Sequence, residues 1–334
     1  MSYGVLHKGT ILILTPYPLL KTTHTPVNRC TNLGGNQMKY EYDLHIHTTA
    51  SDGVLTPTEI IDMAVEVGLK GIAISDHDTV AGLEEARQYL HTTTYSLDFI
   101  PGIELNTEAE DDEVHILGYF IDPNNPALNQ RLQTICNSRY LRAEQMVSRL
   151  QEIGLEIDFK QVEELAQGKL IARPHIARVL IKNDYASSIK EAFDKYIGRG
   201  APGYVPRYKF SPDEAIELIK NAGGIAVLAH PGLIKDHRKV IEVINSGIEG
   251  LEVFYPEHSP EQIRELFELA QRHHLLITGG SDYHGPGSSE SRGNMGSAAV
   301  SKELVDQIYT YLNERHNCLL YSFSLTRPGL SPKN

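Results

Sequence analysis

Residues 43–59 read DLHIHTTASDGVLTPTE. Leu44 and Ile46 alternate with His45 and His47. That period of two predicts a strand burying the apolar pair on one face and projecting both imidazoles from the other. Ser51-Asp52-Gly53 then reads as a turn. Thr56-Pro57-Thr58-Glu59 is a capping box with proline at the first helical position, and Gly68 supplies the stop. Strand, turn and capped helix make one β/α unit with two histidines and a carboxylate at its turning point.

The same unit recurs outward from this stretch. Strands are predicted at GIAIS (71–75), FIPGIEL (99–105), EVHILGYF (113–120), GIAVLAH (224–230), GLEVFY (250–255) and LLITGGSD (275–282). Helices fall near 80–90 and 301–316, and further helix starts are marked by Ser211-Pro212-Asp213-Glu214 and Ser259-Pro260-Glu261-Gln262. This alternation predicts an α/β fold of parallel strands closed into a barrel with helices outside. The barrel is expected from residues 38–124 and 206–320. Residues 125–205 break the rhythm and read as a helical insertion domain, with helices at 126–153, 158–167, 174–183 and 187–197. Residues 1–37 read as a disordered extension and 321–334 as a frayed tail.

With 334 residues, 41% apolar and 22% charged, the chain has the composition of a soluble globular protein. No run approaches the roughly 18 apolar residues of a membrane span. ILILTPYPLL (11–20) is broken by Thr and Pro, and no small-residue cleavage site follows it. Cys30, Cys136 and Cys318 form no CxxC, which points to a reducing, cytoplasmic setting and away from a thiolate metal site. A formal charge of −12 argues against a broad cationic surface for duplex DNA. It leaves room for an anionic substrate held locally by metal ions.

About half of the 15 histidines sit where a barrel strand should end. His45 and His47 lie on the first strand, Asp76 and His77 close the second, and Glu104 closes the third. His115 sits in the fourth, His230 ends GIAVLAH, and Asp282 and His284 end the last. Parallel barrels build their active sites at these strand ends. A lone histidine is ordinarily a hydrogen-bonded structural residue, and His7, His24, His91, His237, His258, His273, His274 and His316 are read that way. The strand-end set is not, because it would require many independent coincidences. Imidazole and carboxylate without thiolate suit Zn²⁺, Mn²⁺ or Fe²⁺. Six histidines with Asp52, Glu104 and Asp282 are too many ligands for one ion. Three divalent ions would carry six positive charges against three carboxylates. The surplus would attract phosphate, and the chemistry implied is phosphoester hydrolysis.

Two further signals stay open on the residues alone. Arg173-Pro174 reads either as a plain helix start with Pro174 at N1 or as a phosphate grip, with His175 donating to the same group. Arg178, about a turn beyond His175, could join them or face solvent. Asp78 is either a partner of His77 or the cap of the following helix.

HIH (45–47), SDHD (75–78), PGIE (101–104), VHILG (114–118), RPH (173–175), AHP (229–231) and SDYH (281–284) resemble, in this order, the motif series of the polymerase and histidinol phosphatase (PHP) family. The resemblance runs from about residue 40 to 300. TTASDG after HIH, and ARPHIAR in a helical insertion, are similar to the branch with nucleoside 3′,5′-bisphosphate phosphatases and a 5′-to-3′ exoribonuclease. It implies a distorted (β/α)7 barrel with a trinuclear metal site. His45, His47, Glu104 and Asp282 would hold the first ion. Glu104 would bridge to a second, completed by His115 and His230, and Asp52, His77 and His284 would hold the third. Mn²⁺ is the expected activity metal, with Zn²⁺ or Fe²⁺ as alternatives. Arg173 and His175 would be the catalytic residues that bind substrate phosphate.

The implied substrates are a nucleoside 3′,5′-bisphosphate losing its 3′-phosphate, or short 5′-phosphorylated single-stranded RNA cut from its 5′ end. Three rivals remain. An amidohydrolase shares HxH and a final Asp, but binds one or two ions, often across a carboxylated lysine. A histidinol-phosphatase-like phosphomonoesterase would share the whole site. A non-catalytic barrel would be expected to have lost ligands, and none of the nine is missing.

Overall fold

The computed structural model describes residues 40–109, 112–166, 170–288 and 292–325, with side chains as far as 315. The expected extension at 1–37 and the end of the expected tail at 321–334 lie outside the described residues.

Seven strands follow one another around the sheet: β1 (Tyr40–Ile46), β2 (Gly71–Ile74), β3 (Asp98–Ala109), β4 (Asp112–Tyr119), β5 (Ile225–Leu228), β6 (Gly250–Phe254) and β7 (Leu276–Gly279). A two-residue β8 (Val300–Ser301) runs antiparallel to the start of β1. Past β7, the chain lies along the other end of β1 and nearly closes the barrel. His47 N–H donates to Tyr283 O (2.9 Å) and Tyr283 N–H to His45 O (3.3 Å). Gly280 permits this approach, since a Cβ there would sit 2.4 Å from His45 N.

The expectation of uniformly parallel strands is corrected at β4, which runs antiparallel to both β3 and β5. Only residues 110–111 separate β3 from β4, whereas a parallel crossover needs a dozen or more. The chain therefore turns straight back, pairing Ala109 with Asp112. This puts the beginning of β4, with Glu113 and His115, at the rim where the other strands end.

A second correction falls in the opening stretch. Leu44 packs in the barrel interior with Tyr42, Ile100, Leu117 and Val227, closed by Val305 and Ile308 of α10 (Lys302–Leu325). Ile46 instead joins the outer cluster that faces the helices. The register between β1 and β2 slips between Asp43 and Ile46. Such a bulge inserts one residue and re-aims the chain after it, so His45 and His47 both turn to the site although Leu44 and Ile46 part company.

Outside the sheet, α1 (Pro57–Glu66), α2 (Ala81–Thr92), α7 (Pro212–Asn221), α8 (His237–Asn245) and α9 (Pro260–Arg272) bury Ile60, Leu83, Ile216, Val240 and Leu266 against it. Each such side chain contributes about 1.5–3 kcal/mol by leaving water. The capping boxes expected at Thr56, Ser211 and Ser259 are formed, with Glu59, Glu214 and Gln262 as the reciprocal partners.

Between β4 and α7 come α3 (Pro126–Glu152), α4 (Phe159–Ala166), α5 (Arg173–Lys182), α6 (Ile189–Ala192) and a π-helical turn at Phe193–Ile197. They bury Leu150, Val162, Ile176, Leu180 and Ile197 in a cluster of their own. The 27-residue α3, roughly 40 Å long at 1.5 Å per residue, joins the two cores. Its Leu128, Leu132 and Ile135 pack on the barrel, and its Met146, Val147 and Leu150 pack on the helices. Arg139 and Arg142 fall in the span between.

Candidate metal centre

The rim gathers all nine histidines and carboxylates singled out in the sequence. His45 Nε2 and His47 Nε2 lie 3.2 and 3.3 Å from Glu104 Oε2, and 3.5 and 3.1 Å from Asp282 Oδ1. The other oxygen, Glu104 Oε1, is 2.9 Å from His115 Nδ1 and 3.1 Å from His230 Nε2. Glu104 thus faces two sets of imidazoles with two different atoms. A third group forms where Asp52 Oδ1 is 3.3 Å from His284 Nε2, and its Oδ2 is 3.9 Å from His77 Nε2. His77 spans the groups, with Nδ1 2.9 Å from Glu104 Oε2.

These residues fit divalent ions on grounds of chemistry. The donor set is imidazole and carboxylate, and eight of the nine residues form three groups whose ligand atoms lie within 4.8 Å of one another, with His230 beside them 3.1 Å from Glu104 Oε1. Several are buried without a hydrogen-bond partner, namely His45 Nε2, both nitrogens of His47, Asp52 Oδ1, Glu104 Oε2, His115 Nε2 and Asp282 Oδ1. Orphaned buried polar atoms are costly and rare unless an ion satisfies them.

Neighbouring groups hold the cluster in place, and sequence reading missed most of them. Glu252, fully buried on β6, accepts from His45 Nδ1–H (2.9 Å) and from His230 N–H (2.7 Å). It thereby presents His45 Nε2 to the site. Tyr255 Oη–H donates to Asp282 Oδ2 (2.8 Å). Asp76 accepts from Thr48 N–H (2.7 Å), Thr48 Oγ1–H (2.7 Å) and Ser51 Oγ–H (2.6 Å), tying down the loop that carries Asp52. Gly53 lets that loop fold tightly, since a Cβ there would meet His47 O at 2.7 Å. Asp78 does not cap the next helix. It accepts from Asn106 N–H (2.9 Å) and Nδ2–H (3.1 Å), and Asn106 Nδ2 in turn reaches His77 Nδ1 (3.0 Å). A signal was available for Glu252 alone: a charged residue inside the otherwise apolar strand GLEVF.

Asp78, His230 and Asp282 have φ of 50°, 29° and 50°. Left-handed backbone at non-glycine residues costs about 1–3 kcal/mol each and concentrates at functional sites.

Electrostatics explain why the cluster attracts cations. Burial opposes ionisation of Glu104, but His77, His45 and His115 outweigh it and hold the carboxyl well below its usual range. Burial also opposes charge on His77 and His284. Glu104 and Asp52 bring His77 up to about 10, and Asp52 brings His284 up to about 9. The carboxylates demand positive charge, whether protons or metal.

Beside the cluster opens a cavity of about 420 Å³, lined by Arg139, Arg142, Arg173 and Arg207 as well as by rim ligands. Arg173 Nη2 donates to Glu113 Oε1 (2.8 Å), and its guanidinium lies 5.1 Å from the Phe193 ring centre. Arg207 binds the same Glu113 oxygen, and Arg139 pairs with Asp78. His175 is placed differently. It is buried, it does not line the cavity, and its Nδ1 accepts from Ala172 N–H (3.0 Å) at the start of α5. Burial, with Arg178 adding to it, pushes its pKa down to about 4, leaving a neutral ring whose Nε2 carries the proton. Arg178 also stays outside the cavity lining.

Comparison with known proteins names this arrangement. The PHP domain family matches residues 43–204. The 5′-3′ exoribonuclease Rnm of Escherichia coli is 38% identical over 73% of this chain and 85% of its own length. The chain belongs to the PHP family. The 3′,5′-nucleoside bisphosphate phosphatase of Chromobacterium violaceum, another relative, is 36% identical over 73% of this chain and 87% of its own. The fold matches that of a Bifidobacterium adolescentis protein assigned to the metal-dependent phosphoesterases. There the TM-score is 0.73 and the identity 32%, covering 81% of this chain and 96% of that one. The present chain is a phosphoesterase of the metal-dependent PHP type, and no helix among its described residues is long and apolar enough to cross a membrane.

Proposed function

We propose that this PHP phosphoesterase removes the 3′-phosphate from nucleoside 3′,5′-bisphosphates and trims short 5′-phosphorylated single-stranded RNA from its 5′ end. One observation carries the reading: a buried set of orphaned imidazoles and carboxylates opens directly onto an arginine-lined cavity. The first is a place for divalent cations, and the second is a place for phosphate. Two relatives carry names that correspond to the two substrate classes proposed, a 5′-3′ exoribonuclease and a 3′,5′-nucleoside bisphosphate phosphatase.

Three ions are inferred, with Mn²⁺ supporting activity. His45, His47, Glu104 and Asp282 would hold one, Glu104 with His115 and His230 a second, and Asp52, His77 and His284 a third. When bound, such ions polarise phosphoryl oxygens and make a water nucleophilic near neutral pH. The chain's own residues do the rest. Glu252 and Tyr255 fix the orientation of His45 and Asp282. Arg173 binds the substrate phosphate and offsets charge on its oxygens in the transition state. His175, neutral and proton-bearing at Nε2, donates a hydrogen bond from the start of α5. The helices of 125–205 would form a domain that brings Arg173 to the cavity, in an enzyme of the cytoplasm.

The amidohydrolase reading is disfavoured because no lysine lines the cavity among the described residues, and Glu104 already faces both sides. The test is an assay of Mn²⁺-loaded protein on adenosine 3′,5′-bisphosphate, 5′-phosphorylated oligoribonucleotides and histidinol phosphate side by side. Preference for histidinol phosphate would overturn the substrate assignment. Undiminished activity in Arg173→Ala and His175→Ala would overturn their roles.

A further inference from the structure

The arginine cavity holds an acid where an anion-binding pocket should have none. Glu113, two residues from His115 on β4, turns inward as His115 does, roughly 7 Å further out along the strand. Its Oε1 takes both Arg173 Nη2 (2.8 Å) and Arg207 Nη2. Arg142 stands close by, donating from Nε to Val205 O (2.7 Å). Among the described residues it has no carboxylate partner. Arg173, Arg207 and Arg139 act on it as like charges. Four guanidiniums therefore have Glu113, Asp78 and, for Arg207, Glu108 as acidic partners, and Arg173 and Arg207 meet at a single carboxylate oxygen.

The two sides of this contact differ in exposure. Glu113 has a side chain 48% exposed, whereas Arg173 and Arg207 are 21% and 16% exposed. Arg173 is stacked on Phe193, and Arg207 lies 4.0 Å from a second acid, Glu108. Burial opposes charge on Glu113, but Arg207 and Arg173 hold its carboxyl down to about 2, so only an anion of greater charge can exchange for it, while the sheltered guanidiniums keep their other contacts. A phosphomonoester offers three acceptor oxygens and about two negative charges, against one shared oxygen and one charge.

We propose that Glu113 is a resident competitor: its carboxylate occupies a second phosphate site formed by Arg173 and Arg207, and a phosphomonoester must displace it to bind. The ligand class rests on the phosphoesterase reading. Glu113 then sets selectivity, because a weakly charged ligand cannot evict it and a dianionic phosphate can.

The experiment is calorimetric titration of the full chain, stripped of metal by chelation, with adenosine 5′-monophosphate and with inorganic phosphate. Glu113→Gln is expected to bind adenosine 5′-monophosphate about tenfold more tightly than wild type, the scale of one charge-assisted contact. Glu113→Asp, one methylene shorter, should fall between, and Arg207→Gln added to Glu113→Gln should abolish the gain. Unchanged, weaker or unmeasurable binding by a Glu113→Gln protein that melts like wild type would overturn the proposal. It would show that the carboxylate templates the arginines or that no anion site exists there. Should Glu113→Gln melt low, the Glu113→Asp titration decides by the same criterion. Failure of the Mn²⁺-loaded wild type to release phosphate from adenosine 3′,5′-bisphosphate would overturn the function instead, without touching this binding result.

Discussion

The barrel rim and the helical segment facing it meet the same cavity with opposite chemistry. The rim offers short, buried imidazoles and carboxylates on strand ends, several with no partner of their own. The helical segment and the stretch after it offer long guanidiniums, most of them already paired with an acid. Short side chains on a sheet keep their positions when nothing is bound, so they can be left unsatisfied in wait for an ion. Long side chains need contacts of their own: Arg173 is stacked on Phe193, Arg142 donates to Val205 O, and Arg139 pairs with Asp78. The difference is between a site preorganised by its backbone and one held by the contacts its long side chains make.

Removing the carboxylate that joins the rim's two sets should produce the largest effect. Glu104→Ala is expected to lower kcat by more than about 10³-fold, the several kcal/mol that metal chemistry supplies. Elemental analysis should show lost metal. Retention of full metal content would break the assignment of Glu104 as the bridging ligand. Glu252→Gln should weaken metal binding by about 10- to 100-fold, as loss of a ligand-orienting carboxylate does. Competition with a metal-sensitive dye would read this directly. On the arginine side, Arg142→Ala should raise KM for adenosine 3′,5′-bisphosphate about tenfold, the value of a hydrogen bond to a charged group, with metal content unchanged. Loss of metal in that variant would mean that the two regions do not act separately.

The smallest effect is on stability. His77 and His284 are raised to about 10 and about 9 from an ordinary 6.5. Raised values mean that the folded, metal-stripped protein binds more protons than the unfolded chain. The stability they add is complete below pH 6.5 and is lost as pH climbs through 9 to 10. The Tm of the stripped protein should therefore fall across that window. Metal affinity should rise over it as protons leave. A flat Tm profile in calorimetry would show that these imidazoles are not coupled to Asp52 and Glu104.

The β/α rhythm, the three capping boxes and the nine rim residues were legible because each leaves a local mark. A capping box occupies four consecutive residues, and a strand-end histidine stands out against its apolar strand. The direction of β4 was legible in principle, from the short gap between ILGYF and the preceding strand, but the rhythm argued the other way. The bulge in β1 left no mark, since Leu44 and Ile46 read as one face under strict alternation. Arg139, Arg142 and Arg207 look like ordinary surface cations in sequence, and Glu113 like an ordinary solvated acid.

By itself the sequence determined which histidines and carboxylates would gather at the rim and at which strand ends and turns they stand, because strand ends, turns and ligand chemistry are properties of short segments. Tertiary structure alone decided that Glu104 faces two sets of imidazoles, that His115 reaches the rim from the start of an antiparallel strand, and that four arginines gather around Glu113. Those outcomes depend on closing the barrel and on the rigid α3 between two cores. Contacts across 60 to 94 residues, such as Arg173 and Arg207 on Glu113, have no periodicity from which they could be read.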